Sequence, residues 1–431
     1  MTTPQSPQKA APLPLLSAMM FLQFFIWGAW YVTVTGWLND LGLGGLTVWV
    51  FSVCPIAAIA SPVFLGVVAD RFFASQKVMG ILHILGGVFL ILLPLVVNGT
   101  TPGEVPENVW MRFFHPCVLL LLGHALCYMP TLALSSSIAL SHIANAEKQF
   151  PVVRVAGTIG WIVASGYVVA KLLAGGDKSP EQFYVAGGAG ILLGLLSFAL
   201  PNTPPPLAGK KVRVGELLGL DAIALLKKPQ FALFILCSLL ICIPLSGYYQ
   251  QARNFVDYSG MAEPANKMSF GQMSEVFFML IMPLIIARLG VKKMLFFGML
   301  AWVARYGLFA LGAPDKVAWM IIVGILLHGI CYDFFFVAGQ IYVDKDTPHA
   351  IRGQAQSFFV LITQGVGMLI GAQAINWLVE NSTSTAVVEG VEVVTKNWEK
   401  IWLWPCAFAG VIALIFLFFF KEPKKEEKAA A

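Results

Sequence analysis

Charge is what this chain has least of. Only 12% of its 431 residues are Asp, Glu, Lys or Arg, where soluble domains average about 25%. That deficit excludes a soluble globular protein with an ordinary polar surface. The formal net charge is only +5, too small and too one-sided in its placement to imply a nucleic-acid partner; it fits anchoring beside anionic lipid. The seven cysteines (Cys54, Cys117, Cys127, Cys237, Cys242, Cys331, Cys406) are odd in number and lie in or beside apolar runs. No C-x-x-C pair occurs among them, so neither a disulfide framework nor a zinc site is expected. No nucleophile–base set, metal-ligand spacing or phosphate loop appears, so the chain is expected to be no enzyme and to carry no cofactor or metal. Short alternating strands, the mark of a membrane β-barrel, are missing too.

What is present is hydrophobic length. Hydrophobic residues make up 58% of the chain and the mean hydropathy is +0.77. Apolar runs of spanning length recur at 14–38, 46–69, 77–98, 116–141, 151–173, 182–200, 231–254, 268–288, 293–312, 317–343, 351–379 and 399–420. Each approaches the roughly 20 residues that cross a ~30 Å hydrocarbon core. Twelve transmembrane helices in an all-α membrane protein are therefore expected. The first run is too long for a signal-peptide core and is read as a retained span.

Loop charge sets the expected orientation. One face collects Lys9, Arg71, Lys77, Lys148, Arg154, Lys210, Lys211, Arg213, Lys227, Lys228, Arg288, Lys292, Lys293, Lys345, Arg352, Lys421, Lys424, Lys425 and Lys428. The other holds Arg112, Lys171, Lys178, Lys267, Lys316, Lys396 and Lys400. Both termini are thus expected in the cytoplasm. Arg253 and Arg305 lie in or near helix ends. The longest cytoplasmic loop, 201–230, opens Pro-rich, carries the basic Lys210-Lys211-Val212-Arg213 and continues as an amphipathic stretch over 214–226. It divides the chain into a six-helix bundle at 1–200, a linker at 201–230 and a second six-helix bundle with a tail at 231–431. Two such parallel halves are a transporter plan.

Ionisable groups inside spans are functional by default, since each costs about 2.5–3.5 kcal/mol on insertion scales. Asp333 lies within Leu327-His328-Gly329-Ile330-Cys331-Tyr332-Asp333-Phe334-Phe335-Phe336, in span 10. A structural carboxylate satisfied by hydroxyls and backbone is the plain alternative to a charge lining a substrate and proton path. His328, Tyr332 and Asp333 share a helix face. On span 8, Gln272 and Glu275 stand at i and i+3. On span 5, Arg154, Thr158 and Trp161 form one stripe, although Arg154 by itself reads equally as a snorkelling interfacial cation. On span 7, Tyr248-Tyr249-Gln250-Gln251 closes an apolar run and could be simply an aromatic belt. Gln23, Trp27 and Trp30 on span 1, with Tyr128 and Thr131 around Pro130, read more readily as packing. By depth, Asp333 and Arg154 fall in the inner half, where they could attract each other, and Glu275 in the outer half.

Two sets of motifs carry a resemblance. Gly66-Val67-Val68-Ala69-Asp70-Arg71 after span 2 is the G-x-x-x-D-[RK] signature of the major facilitator superfamily, which implies a gating and structural role for Gly66, Asp70 and Arg71. The pieces Phe21-Leu22-Gln23-Phe24-Phe25-Ile26-Trp27-Gly28, Tyr128-Met129-Pro130-Thr131, Arg154-Val155-Ala156-Gly157-Thr158-Ile159-Gly160, Leu217 to Ala222, Gln272-Met273-Ser274-Glu275, Ala301 to Arg305, Cys331 to Phe335 and Ala350-Ile351-Arg352 run in order along nearly the whole chain. Together they resemble the nucleoside:proton symporters of that superfamily, the bacterial nucleoside permeases. The resemblance implies a nucleoside site lined by Arg154, Thr158, Trp161, Tyr249, Gln250, Gln272, Glu275, His328, Tyr332 and Asp333. Glu275 and Asp333 would couple the proton, in a monomer of the bacterial inner membrane. Trp161 stands where the family commonly has Phe, His328 where it has a Tyr, and the span 7 polar pair aligns imperfectly with Ser246, Tyr249 and Gln250. A proton-coupled transporter of another small polar solute, such as a sugar, is the alternative; a ligand sensor that does not transport is a third reading, against which stands the lack of a large soluble domain.

Overall fold

In the computed structural model the described residues are 13–64, 72–97, 105–205, 220–348, 351–388 and 391–421. Gly66, Asp70 and Arg71, the basic patch at 210–213 and the tail lysines beyond 421 lie outside them.

The described chain is almost wholly helical: α1 (Leu13–Trp30), α2 (Val34–Asp40), α3 (Thr47–Val50), α4 (Val53–Phe64), α5 (Ser75–Val97), α6 (Pro116–His142), α7 (Ala146–Ile162), α8 (Glu181–Ser197), α9 (Pro229–Tyr258), α10 (Pro264–Gly312), α11 (Ala318–Leu326), α12 (His328–Tyr332), α13 (Ala338–Asp346), α14 (Arg352–Val360), α15 (Met368–Glu380) and α16 (Trp398–Phe419). Helix is the form in which a lipid-facing segment satisfies its own backbone. A two-stranded antiparallel hairpin, β1 (Thr383–Val388) with β2 (Val391–Lys396), joins the last two helices. Three stretches widen to π-helix, Val163–Leu172, Asp333–Val337 and Leu361–Gly367.

Ten described helical runs are long and apolar enough to cross a membrane. Two expected spans fall outside that set. The helix for 182–200 is α8, of 17 residues, about 25 Å at 1.5 Å per residue. The run at 268–288 is the first part of α10, which continues past a break at Gly290 (φ 75°, ψ 171°) into the next run. A positive φ of this kind suits glycine, which has no Cβ to clash.

The contacts divide the molecule into two compact units. The described residues up to 205 join Ser246–Val276 in one; those of 220–245 join the chain from Phe277 onward in the other. The division therefore runs through α9 and α10. In the first unit, Asn39 donates to Asn254 (3.0 Å) and Asn266 to the Gly166 carbonyl (2.7 Å), holding Ser246–Val276 to the earlier helices. The Arg253 guanidinium grips both carboxylate oxygens of Asp177 at 2.6 and 2.9 Å and reaches Asp257 at 2.8 Å. The seven cysteines are free thiols, buried or half-buried.

Candidate functional site

The first unit carries the larger group of expected site residues. Arg154, Thr158 and Trp161 are positioned by the seam between α7 and α1. A Cβ built on Gly160 would collide with the Phe21 backbone, and one on Gly28 would stand 2.8 Å from the Trp161 Cα. Only glycine permits that approach. It sets the Arg154 guanidinium 4.1 Å above the Phe24 ring, a cation–π contact, and 3.5 Å from the Thr158 hydroxyl. Thr158 and Trp161 are buried.

Around Trp161 the first unit builds an aromatic cluster. Its ring meets Trp27 edge-on at 5.4 Å and Tyr31 at 6.4 Å; Tyr31 in turn meets Tyr249 at 5.5 Å. These tilted and edge-on arrangements are the favoured geometry for aromatic pairs. The indole N–H of Trp161 meets no acceptor among the described residues. Tyr249 is thus part of this cluster, where an interfacial belt was the alternative. Gln250 is buried and gives its amide N–H to Ser246 at 2.9 Å, one turn back on its own helix.

Gln272 and Glu275 are both buried on α10, 7% exposed each, which excludes a surface reading of the glutamate. Within its own unit Arg154 lies in electrostatic range of Glu275. A carboxylate, a cation, two amides, a hydroxyl and flat rings are thus gathered in one unit. Amides and acids hydrogen-bond sugar hydroxyls and base edges, and rings stack on bases.

The second unit carries His328, Tyr332 and Asp333. Asp333 is fully buried and opens the π-helical stretch Asp333–Val337. π turns inside helices recur at functional positions because they re-aim side chains. His328 stacks obliquely on Tyr332 at 5.9 Å, and Tyr332 on Phe336 at 5.0 Å. Asp333 and Arg154 belong to different units.

Several polar groups escape a reading by spacing. Gln23 on α1 donates to Thr131 on α6 (2.8 Å) and accepts from His83 on α5 (2.9 Å), while the Tyr128 hydroxyl donates to the Gln23 carbonyl. This buried network ties three helices and accounts for Gln23, Tyr128 and Thr131 as satisfied structural groups. Arg253 and Arg305 lie near the C-terminal ends of α9 and α10 and are buried, at 2% and 0% exposed. Among the described residues no cluster of three His, Cys, Asp or Glu could hold a metal ion.

Residues 14–425 match the model of the family described as nucleoside H+ symporter. The candidate nucleoside transporter YegT of Escherichia coli (strain K12) is 38% identical over 95% of this chain and 94% of its own length. The xanthosine permease of the same organism is 32% identical over 96% and 97%. A crystal structure of the nucleoside transporter NupG superposes with a TM-score of 0.82 at 28% identity, over 95% of this chain and all of that one. A crystal structure of a D-xylose–proton symporter shares the fold at a TM-score of 0.69 and 15% identity, over 96% of this chain and 98% of that one. The chain is a multi-pass membrane transporter and no enzyme, and it belongs to the nucleoside–proton symporter family.

Proposed function

We propose that this protein imports nucleosides with protons across the bacterial inner membrane by alternating access. Its twelve spans form six-helix bundles at 1–200 and 231–431 around the 201–230 linker, with both termini cytoplasmic, and it works as a monomer. Arg154, Thr158, Trp161, Tyr249, Gln250, Gln272 and Glu275 contribute one part of the nucleoside site; His328, Tyr332 and Asp333 contribute the other. Gln250 acts there through whatever its Ser246-bound amide leaves free. Gly66, Asp70 and Arg71 gate the cytoplasmic side.

The observation that carries this reading is the burial of two carboxylates, Glu275 and Asp333, within apolar helices. A buried carboxyl must be paired or protonated, and switching between those states moves a proton. Arg154, in range of Glu275, supplies the cation for one of those states.

The test is uptake of labelled uridine and adenosine into cells lacking their own nucleoside transporters, with and without collapse of the proton gradient. Expression should confer uptake that the protonophore abolishes. Absence of uptake for both, alongside proton-dependent uptake of a labelled pentose, would transfer the reading to sugars.

A further inference from the structure

Helix α10 presents one stripe to the chain around Asp333. Gly298, Trp302, Arg305 and Phe309 recur at intervals of four, three and four, hence on one face. Each meets the α11–α12 run or the π stretch after it. A Cβ on Gly298 would stand 3.1 Å from the Phe334 carbonyl carbon and the Phe335 nitrogen. The Trp302 indole N–H donates to the Cys331 carbonyl at 3.1 Å. The Arg305 Nε–H donates to the Gly324 carbonyl at 3.1 Å. The Phe309 ring lies where a Cβ on Gly324 would have to be. Trp302, Arg305 and Phe309 are all 0% exposed.

The two carbonyls taken by this stripe bracket the interruption at Leu327 between α11 and α12 and lie just before the π turn opened by Asp333. A π turn displaces backbone carbonyls from the regular ladder, and side chains that insert there fix where the helix bends. Arginine suits such a place: its planar fork donates in a fixed direction and keeps its charge when buried. Its charge also reaches His328 and Cys331 electrostatically. We infer that Trp302 and Arg305 are positioning residues for proton coupling: by holding the Cys331 and Gly324 carbonyls they fix the register of the segment that carries His328, Tyr332 and Asp333. The inference rests on Asp333 coupling the proton. Neither residue touches substrate in this role; both act through the backbone of the helix that bears the carboxylate.

The experiment is reconstitution of the full chain into proteoliposomes with labelled uridine as the probe. Trp302→Phe keeps the ring and loses the donor; Arg305→Lys keeps the charge and loses the planar fork. Misplacement of a reacting group by about 1 Å costs up to ~100-fold, so gradient-driven accumulation should fall about tenfold or more. The thermal midpoint in detergent should stay at the parent's value, and exchange of labelled for unlabelled uridine should fall less than accumulation does. A purely structural role would lower the midpoint and both transport modes together, and that result overturns the inference, as does undiminished accumulation in both variants. If Arg305→Lys does not reach the membrane, the milder Trp302→Phe decides. Asp333→Asn is measured alongside. Accumulation by Asp333→Asn would remove the coupling role of Asp333 itself. Its loss there, with normal accumulation in Trp302→Phe and Arg305→Lys, would remove only the positioning role.

Discussion

Trp161 is where a stacking role can be separated from packing. Its ring sits edge-on to Trp27 and Tyr31. If it stacks on a nucleobase, Trp161→Phe keeps a flat face and most of the affinity, whereas Trp161→Ala loses about 1–3 kcal/mol of binding. Binding of labelled nucleoside to purified protein measures this, and equal affinity in Trp161→Ala and the parent removes the residue from the site. Glu275 and Asp333 call for a different readout. Asp333→Asn and Glu275→Gln keep shape and most hydrogen-bonding capacity while losing the titratable proton. At least one of them should abolish pH-driven accumulation in proteoliposomes yet still exchange labelled for unlabelled nucleoside, Asp333 being favoured. Both carboxylates were visible in the sequence because a charge inside an apolar run stands out against its neighbours. Arg253 and Arg305 were not, since their partners lie far off in sequence: Asp177 is 76 residues from Arg253 and Gly324 is 19 from Arg305. No helical spacing rule links such pairs. Gln250 shows the converse limit, for its spacing to Ser246 matches a one-turn bond that composition alone does not reveal.

At the scale of elements, the buried cluster on α9 makes a quantitative claim. Arg253 and Asp177 are 2% and 7% exposed, while the other acceptor, Asp257, is 47% exposed. Removing one partner of a buried pair strands the other charge and costs about 3–5 kcal/mol. An exposed pair is worth only about 0–1 kcal/mol. Arg253→Ala should therefore lower the unfolding midpoint in detergent far more than Asp257→Ala. A comparable loss from both would show that the Asp177 contact is not the one that holds Ser246–Val276 in its unit. The helices themselves were largely legible, because a run of apolar residues in lipid has few alternatives to a helix. Their interruptions were less so. Nothing in composition announces the π stretches, which depend on which neighbouring groups accept the displaced backbone. The hairpin at Thr383–Lys396 was passed over because its strands are short and lie in a loop between two spans. The glycine seam of α1 and α7 is a sequence feature whose meaning appears only when Phe21 and Gly160 are seen backbone to side.

For the molecule as a whole, orientation is the claim that depends on no side-chain contact. With twelve spans, basic residues would accumulate on the face that holds Lys77, Lys148, Lys227, Lys228, Arg288, Lys292, Lys293 and Lys345, and be sparse on the face that holds Arg112, Lys171, Lys178, Lys267 and Lys316. Loops rich in lysine and arginine stay on the cytoplasmic side. Lys178 ends a turn between the Val163–Leu172 stretch and α8, and Asn381 caps α15 before the hairpin. Both precede or follow spanning runs of opposite direction if the count is twelve. Single cysteines at Lys178 and Asn381, in a background from which the seven native thiols have been removed, should react with a membrane-impermeant maleimide on intact cells. Cysteines at Lys210 and Lys424 should react only after the membrane is opened. The count enters directly, since in a twelve-span chain α8 and the first part of α10 would each reverse the chain. Were the first part of α10 not to cross, position 381 would label on the same side as 210; were α8 not to cross, position 210 would label on the same side as 178. Labelling from outside of position 210 but not of position 178 would invert the whole assignment.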